Sequence, residues 1–186
     1  MDTLKTLQSI DRSWTLFLDR DGVINDEKQM AYINTWEEFN FYTGVTAAIK
    51  IFTKKFGLIF IVTNQRGVGK GVTRSEDLEI IHYNMMEAIE QDGGKIDKIY
   101  YCTDIENESP NRKPNPGMGL QAKKDFPQIE FSKSVMVGNT MGDMEFGRNL
   151  NIEVNIFLST TYPDILVPHP LIDLVFPDLI SVAKAL

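Results

Sequence analysis

What most constrains the fold of this chain is an alternation. Short apolar runs occur at Thr15 to Leu18, Leu58 to Val62, Ile99 to Cys102, Val135 to Val137, Val154 to Leu158 and Leu174 to Phe176, and helix-length segments lie between several of them. Uninterrupted apolar runs of this length read as strands buried on both faces, the pattern of a parallel sheet. Val45 to Phe56 carries Ile49, Phe52 and Phe56 at helical spacing, and Leu78, Ile81, Met85 and Ala88 mark a second apolar stripe. Thr73 and Glu76 have the spacing of a capping box at the start of that second helix, and Gly93-Gly94 stop it. The alternation predicts an α/β fold: an open, mainly parallel Rossmann-like sheet with helices on both faces.

With 186 residues, 42% hydrophobic and 24% charged, and no repeat or low-complexity tract, the chain reads as a single domain over residues 1–186. Its net charge of -7 gives no overall attraction for a phosphate backbone or an anionic membrane, so neither nucleic acid nor membrane is expected as a partner. The one cysteine, Cys102, excludes an internal disulfide and any zinc site built from several thiolates, and is compatible with a reducing cytoplasm. The first residues lack an apolar leader core, and the densest apolar run is too short to span a bilayer. A cytoplasmic protein is the expectation.

In an open parallel sheet, ligands bind beyond the carboxyl ends of the strands, so the residues after each apolar run are the ones to read for chemistry. Asp19-Arg20-Asp21-Gly22 follows the first run and Thr63-Asn64-Gln65-Arg66-Gly67 the second. Arg112-Lys113-Pro114 comes a short loop after the third, and Gly138-Asn139-Thr140-Met141-Gly142-Asp143 follows the fourth. Two carboxylates as close as Asp19 and Asp21 repel, and Mg²⁺ relieves that repulsion while keeping exchangeable positions for phosphate oxygens. Lys113 adds positive charge, and Thr63 with the backbone N–H groups of the next turn can donate to phosphoryl oxygens. The set suits phosphoryl transfer, with Asp19 attacking phosphorus and Asp21 acting as acid and then base.

FLDRDGVIN, IVTNQRGVGKG, RKPNPGM and VGNTMGDMEFGRN, in this order between about Trp14 and Leu158, resemble the four motifs of haloacid-dehalogenase-type phosphatases. Within that family they are similar to the branch of heptose bisphosphate and histidinol-phosphate phosphatases, with FLDRDGVIN and RKPNPGM nearest the heptose group. The resemblance implies that Asp19 is the nucleophile and Asp21 the general acid/base, with Thr63 and Lys113 stabilising the transferring group. Arg112 and the turn Asn64, Gln65 and Arg66 would meet the substrate, together with Thr140. Mg²⁺ would be held by Asp19, Asp21 and an acid after the fourth strand; here that position is Asn139, with Asp143 nearby. The implied substrate is a small phosphorylated metabolite. Alternatives left open are histidinol phosphate, a phosphate-binding or regulatory protein impaired by Asn139, and a polynucleotide 3′-phosphatase.

Other departures from the family pattern bear on selectivity. The zinc-holding Cys/His quartet of some relatives is reduced to Cys102, so no zinc is expected. Ala31-Tyr32-Ile33 stands where relatives carry Gly-Tyr-Val, the preceding stretch Asp26 to Met30 is extended, and Glu106 and Glu108 make the loop before Arg112 acidic. The intervals after Asp21 and after Cys102 are too short for a separate cap domain. Val23 rules out an EF-hand loop, and Gly67, Gly69 and Gly71 fit no nucleotide-binding spacing. His82 and His169 are assigned no role.

Overall fold

The structure is a computed structural model that describes residues 3–28 and 30–186, so Gln29, within the extended stretch Asp26 to Met30, lies outside the described residues. Six strands form one parallel sheet among the described residues: β1 (Thr15–Leu18), β2 (Leu58–Asn64), β3 (Lys98–Cys102), β4 (Ser134–Gly138), β5 (Val154–Leu158) and β6 (Leu174–Phe176), in the spatial order β3-β2-β1-β4-β5-β6. The chain moves outward from β1 through β2 to β3, then crosses back to place β4 on the other side of β1. Sheet order therefore reverses between β1 and β4, and that is where an open α/β sheet leaves a crevice at its carboxyl edge.

Helix α1 (Thr3–Gln8) precedes β1 and the short α3 (Arg66–Gly69) follows β2. Alternate residues of β1, β2, β4 and β5 feed two cores. Leu16, Leu18, Ile59, Ile61, Val135, Val137 and Ile156 face one layer, formed by α2 (Val45–Lys55), α4 (Ser75–Gln91) and α7 (Leu179–Lys184) through Ile49, Phe52, Ile81, Met85 and Val182. Phe17, Phe60, Val62, Met136 and Phe157 face the other, formed by α5 (Gly117–Asp125) and α6 (Met141–Asn149) through Met118, Ala122, Met144 and Phe146. Two-sided burial is why these four strands read as continuous apolar runs. The edge strands β3 and β6, also expected to be buried on both faces, instead expose Tyr101 and Val175, because no further strand among the described residues lies beyond them. Their buried area supplies the main favourable term of folding. No helix among the described residues is long and apolar enough to cross a membrane.

Two local expectations need correction. β2 does not stop at Val62: Thr63 and Asn64 stay paired with Tyr101 and Cys102 of β3, because ladder bonding is indifferent to side-chain polarity. The capping box at Thr73 and Glu76 does not form. Helix α4 starts at Ser75 with Arg74 at its cap and no side-chain cap, while the buried Thr73 hydroxyl donates to Asn34 Oδ1 at 2.6 Å. The glycine stop holds, with Gly93 at φ +86° and the Gly94 N–H donating to the Ile89 carbonyl.

Phe52 joins α2 to the sheet with no exposed surface and an edge-on contact to Phe56. Phe52→Ala is expected to cost about 3–5 kcal/mol, read as a lower midpoint in urea unfolding with an unchanged slope.

Candidate active site

The carboxyl edge gathers the residues in question around one cavity of about 300 Å³, lined by Asp19, Asp21, Glu27, Tyr32, Thr63, Asn64, Gln65, Arg112, Lys113, Thr140 and Asp143 among others. Four loops meet there because β1, β2 and β4 are neighbours and the chain after β3 runs back over β2.

At its centre lies an ion triad. Lys113 Nζ sits 2.8 Å from Asp19 Oδ1 and 2.5 Å from Asp143 Oδ1, with all three side chains almost wholly buried. Burial favours the neutral lysine, but the charges of Asp143 and Asp19 outweigh it and hold Lys113 protonated beyond the ordinary range. Asp19 is pushed up to about 7 by burial and by the Asp143 charge, against the pull of Lys113. One lysine does not fully offset two buried carboxylates.

Each member is held in turn. Asn64 fixes the Lys113 backbone at two points: its Nδ2 donates to the Lys113 carbonyl and its Oδ1 accepts from the Lys113 N–H, both at 3.0 Å. Asp143 Oδ2 accepts from the Thr140 N–H at 3.0 Å and from the Thr140 hydroxyl at 2.7 Å, tying it to the first turn of α6. Gly138 permits this approach, since a Cβ there would lie 2.2 Å from Asp143 Cβ.

Asp21 has a different environment. The Arg20 guanidinium donates to both of its oxygens at 2.8 and 2.9 Å, Asn25 Nδ2 donates to Oδ1 at 2.9 Å and Gln65 Nε2 to Oδ2 at 2.9 Å. Burial pushes Asp21 up, but the Arg20 charge and these donors prevail and hold it below the usual carboxylate range. Arg20, itself 1% exposed, is backed by His82 Nε2 at 3.2 Å. A guanidinium only donates, so that ring nitrogen accepts, and burial together with Arg20 keeps the imidazole neutral by lowering its pKa to about 3. Gln65 Nε2 also donates to Thr63 Oγ1 at 2.9 Å, leaving the Thr63 hydroxyl proton available to a ligand.

The residues expected to meet substrate divide. Arg112 lines the cavity with its buried NH1 atom unpartnered, and Gln65 lines it while bridging Asp21 and Thr63. Asn64 and Thr140 also line it, but their polar groups are engaged by Lys113 and Asp143. Arg66 does not line it: its NH2 group donates to the Ile105 carbonyl and to Asn107 Oδ1, both at 2.5 Å, and so fastens the loop before Arg112. The two residues expected to follow the fourth strand as metal ligands also separate. Asp143 is bound up with Lys113 and Thr140, while Asn139 is wholly buried with its Oδ1 unpartnered. Leaving such an oxygen unsatisfied costs about 1–3 kcal/mol.

Arg20, Asn25, Glu27, His82 and Thr161 are the site residues that sequence reasoning missed. Arg20 alone carried a signal, a cation placed between the two aspartates. Among the described residues, no three His, Cys, Asp or Glu side chains are grouped so as to hold a metal by themselves.

The polynucleotide kinase 3 phosphatase family model matches residues 15–164. The D-glycero-alpha-D-manno-heptose-1,7-bisphosphate 7-phosphatase of Campylobacter jejuni is 38% identical over 145 residues, covering 77% of this chain and 81% of that protein. The D-glycero-beta-D-manno-heptose-1,7-bisphosphate 7-phosphatase of Helicobacter pylori strain J99 is 34% identical over 157 residues, 83% of this chain and 87% of the relative. A crystal structure of D,D-heptose 1,7-bisphosphate phosphatase from B. bronchiseptica, complexed with magnesium and phosphate, superposes with a TM-score of 0.81 at 25% identity, covering 92% of this chain and 96% of the other. A chain matched over this length, with the four motifs meeting at the reversal point of its sheet, belongs to the haloacid-dehalogenase-type phosphatases.

Proposed function

We propose that this phosphatase removes one phosphate from a small bisphosphorylated sugar, with heptose 1,7-bisphosphate as the best-supported substrate and the 7-phosphate as the group removed. The observation that carries the reading is Asp19 at the sheet's reversal point, 2.8 Å from a buried lysine and facing a cavity the size of a small metabolite. Asp19 attacks phosphorus, and an acyl phosphate forms as the bond to the sugar oxygen breaks. That oxygen takes a proton from Asp21. Asp21, now ionised, deprotonates the water that hydrolyses the acyl phosphate, and both carboxyl groups return to their starting state. Arg20, Asn25 and Gln65 keep Asp21 ready for the second step, and the negative charge of an arriving phosphate raises its affinity for the proton the first step needs. Thr63 donates to the phosphoryl group, Lys113 balances its charge, and Arg112 offers its unpartnered NH1 to the second phosphate.

Magnesium fits the residues present. Four carboxylates (Asp19, Asp21, Glu27 and Asp143) against three cations (Lys28, Arg112 and Lys113) line a cavity that must accept an anion, and Asn139 keeps one oxygen free. Asp19, the Asp21 carbonyl and Asn139 Oδ1 would hold the ion; when bound it supplies positive charge to the phosphoryl oxygens. The acidic loop around Glu106 and Glu108 and the net charge of -7 weigh against a polynucleotide substrate. The neutral Asn139 favours a second reading, a protein that binds phosphate without turning it over.

Purified protein is expected to release phosphate from heptose 1,7-bisphosphate in a magnesium-dependent reaction that Asp19→Asn abolishes, faster than from histidinol phosphate. Phosphate binding without release, with turnover gained on Asn139→Asp, would establish the second reading instead. Arg112→Ala is expected to raise KM for the bisphosphate about tenfold or more, the worth of a charged hydrogen bond, with p-nitrophenyl phosphate hydrolysis little changed.

A third outcome concerns stability. Asp19 titrates at about 7 in the fold against an ordinary 3.8, so between those values the folded state binds more protons and this group's contribution falls as pH rises through 7. Lys113→Met removes the opposing cation and pushes Asp19 higher still. The variant is expected to lose about 3–5 kcal/mol at pH 8 and distinctly less at pH 5, measured by urea unfolding at both.

A further inference from the structure

Asn139 is fully buried, and its side chain is held from one end only. Nδ2 donates to Glu27 Oε2 at 3.1 Å and lies 2.8 Å from Thr161 Oγ1, whose hydroxyl in turn donates to the same Glu27 oxygen at 2.9 Å. The triangle joins three loops: Glu27 follows β1, Asn139 follows β4 and Thr161 follows β5. Oδ1 is the polar atom of Asn139 left without a partner. An amide can be turned end for end with almost no change of shape, so what selects its orientation is the groups it faces. A carboxylate only accepts. Reversing Asn139 would set Oδ1 against Glu27 Oε2, two oxygens with no proton between them, and would bury the NH2 group where the free oxygen now lies.

Glu27 also lines the cavity with Asp19 and Asp21. It therefore supplies both things that an amide at position 139 lacks by comparison with an aspartate: a defined oxygen, and a negative charge beside the cavity. We propose that Glu27 is the positioning residue of the cation site, orienting Asn139 so that its oxygen is the available ligand and carrying the charge displaced from position 139. This rests on the magnesium-dependent reading above.

The pairing makes a charge-swap test possible. Magnesium binding to the whole protein is measured by calorimetry in the absence of substrate, with the metal-free melting temperature as a check on folding. Glu27→Gln is expected to weaken magnesium binding at least tenfold, with phosphate release requiring correspondingly more magnesium. Asn139→Asp alone is expected to gain little, because the new carboxylate would face Glu27. The double variant Glu27→Gln/Asn139→Asp, in which a glutamine amide faces an aspartate, is expected to recover binding to near the starting value. Thr161→Val, which keeps the Glu27 charge and removes one strut, is expected to weaken binding less than Glu27→Gln does.

Unchanged binding in Glu27→Gln, or no recovery in the double variant, would overturn the role of Glu27 while leaving the phosphatase reading in place. If the unaltered protein neither binds magnesium nor needs it for turnover, the metal-dependent reading fails and this inference with it.

Discussion

Lys113 lies almost wholly buried between Asp19 and Asp143, and the geometry of the carboxyl edge follows from that contact. Three buried charges are tolerable only as a set, because a lone carboxylate in such surroundings takes up a proton and a lone ammonium loses one. Bringing the set together requires the end of β1, the start of α6 and the loop after β3 to converge. The sheet order β3-β2-β1-β4-β5-β6 makes this possible, since β1 and β4 are adjacent and their carboxyl ends open side by side. Asn64 adds the remaining constraint by taking both polar groups of the Lys113 backbone onto the end of β2.

The same triad explains why neighbouring polar side chains are unavailable for other work. Thr140 and Asn64 border the cavity, yet each directs its hydrogen bonds at a member of the triad. Arg66 is one step further out and holds the loop that delivers Arg112 and Lys113. Among the residues that border the cavity, the Arg112 NH1 and the Thr63 hydroxyl proton are polar groups left uncommitted. Specificity drawn from such groups depends on their being fixed beforehand, and the outer ring of hydrogen bonds provides that rigidity.

Much of this was legible in the sequence because the strands are apolar and the central four are buried on both sides. Thr15–Leu18, Val154–Leu158 and Leu174–Phe176 have the bounds that apolar runs give, and the motif residues stand at the strand ends where a parallel sheet displays its chemistry. Legibility stopped where contacts became distant and polar. The bond from Asn139 to Glu27 spans 112 residues and the one from Thr161 to Glu27 spans 134, and no periodicity relates such positions. Arg20 and His82 were missed for the same reason, being 62 residues apart and recognisable as partners only once both are buried. Thr73 failed as a cap because its hydroxyl had a tertiary partner in Asn34, a competition that local spacing does not reveal.

Asp19 and Asp21 are two residues apart, chemically identical, and driven in opposite directions. Burial and Asp143 raise the first, while Arg20 and its companion donors lower the second despite burial. Two carboxyl groups with separated proton affinities can take separate tasks. The proposed reaction needs Asp19 ionised and Asp21 protonated at its first step, the reverse of these two shifts. On that reading, positive charge beside Asp19 would favour its ionised form, and the phosphate's negative charge would oppose Arg20 and draw a proton to Asp21.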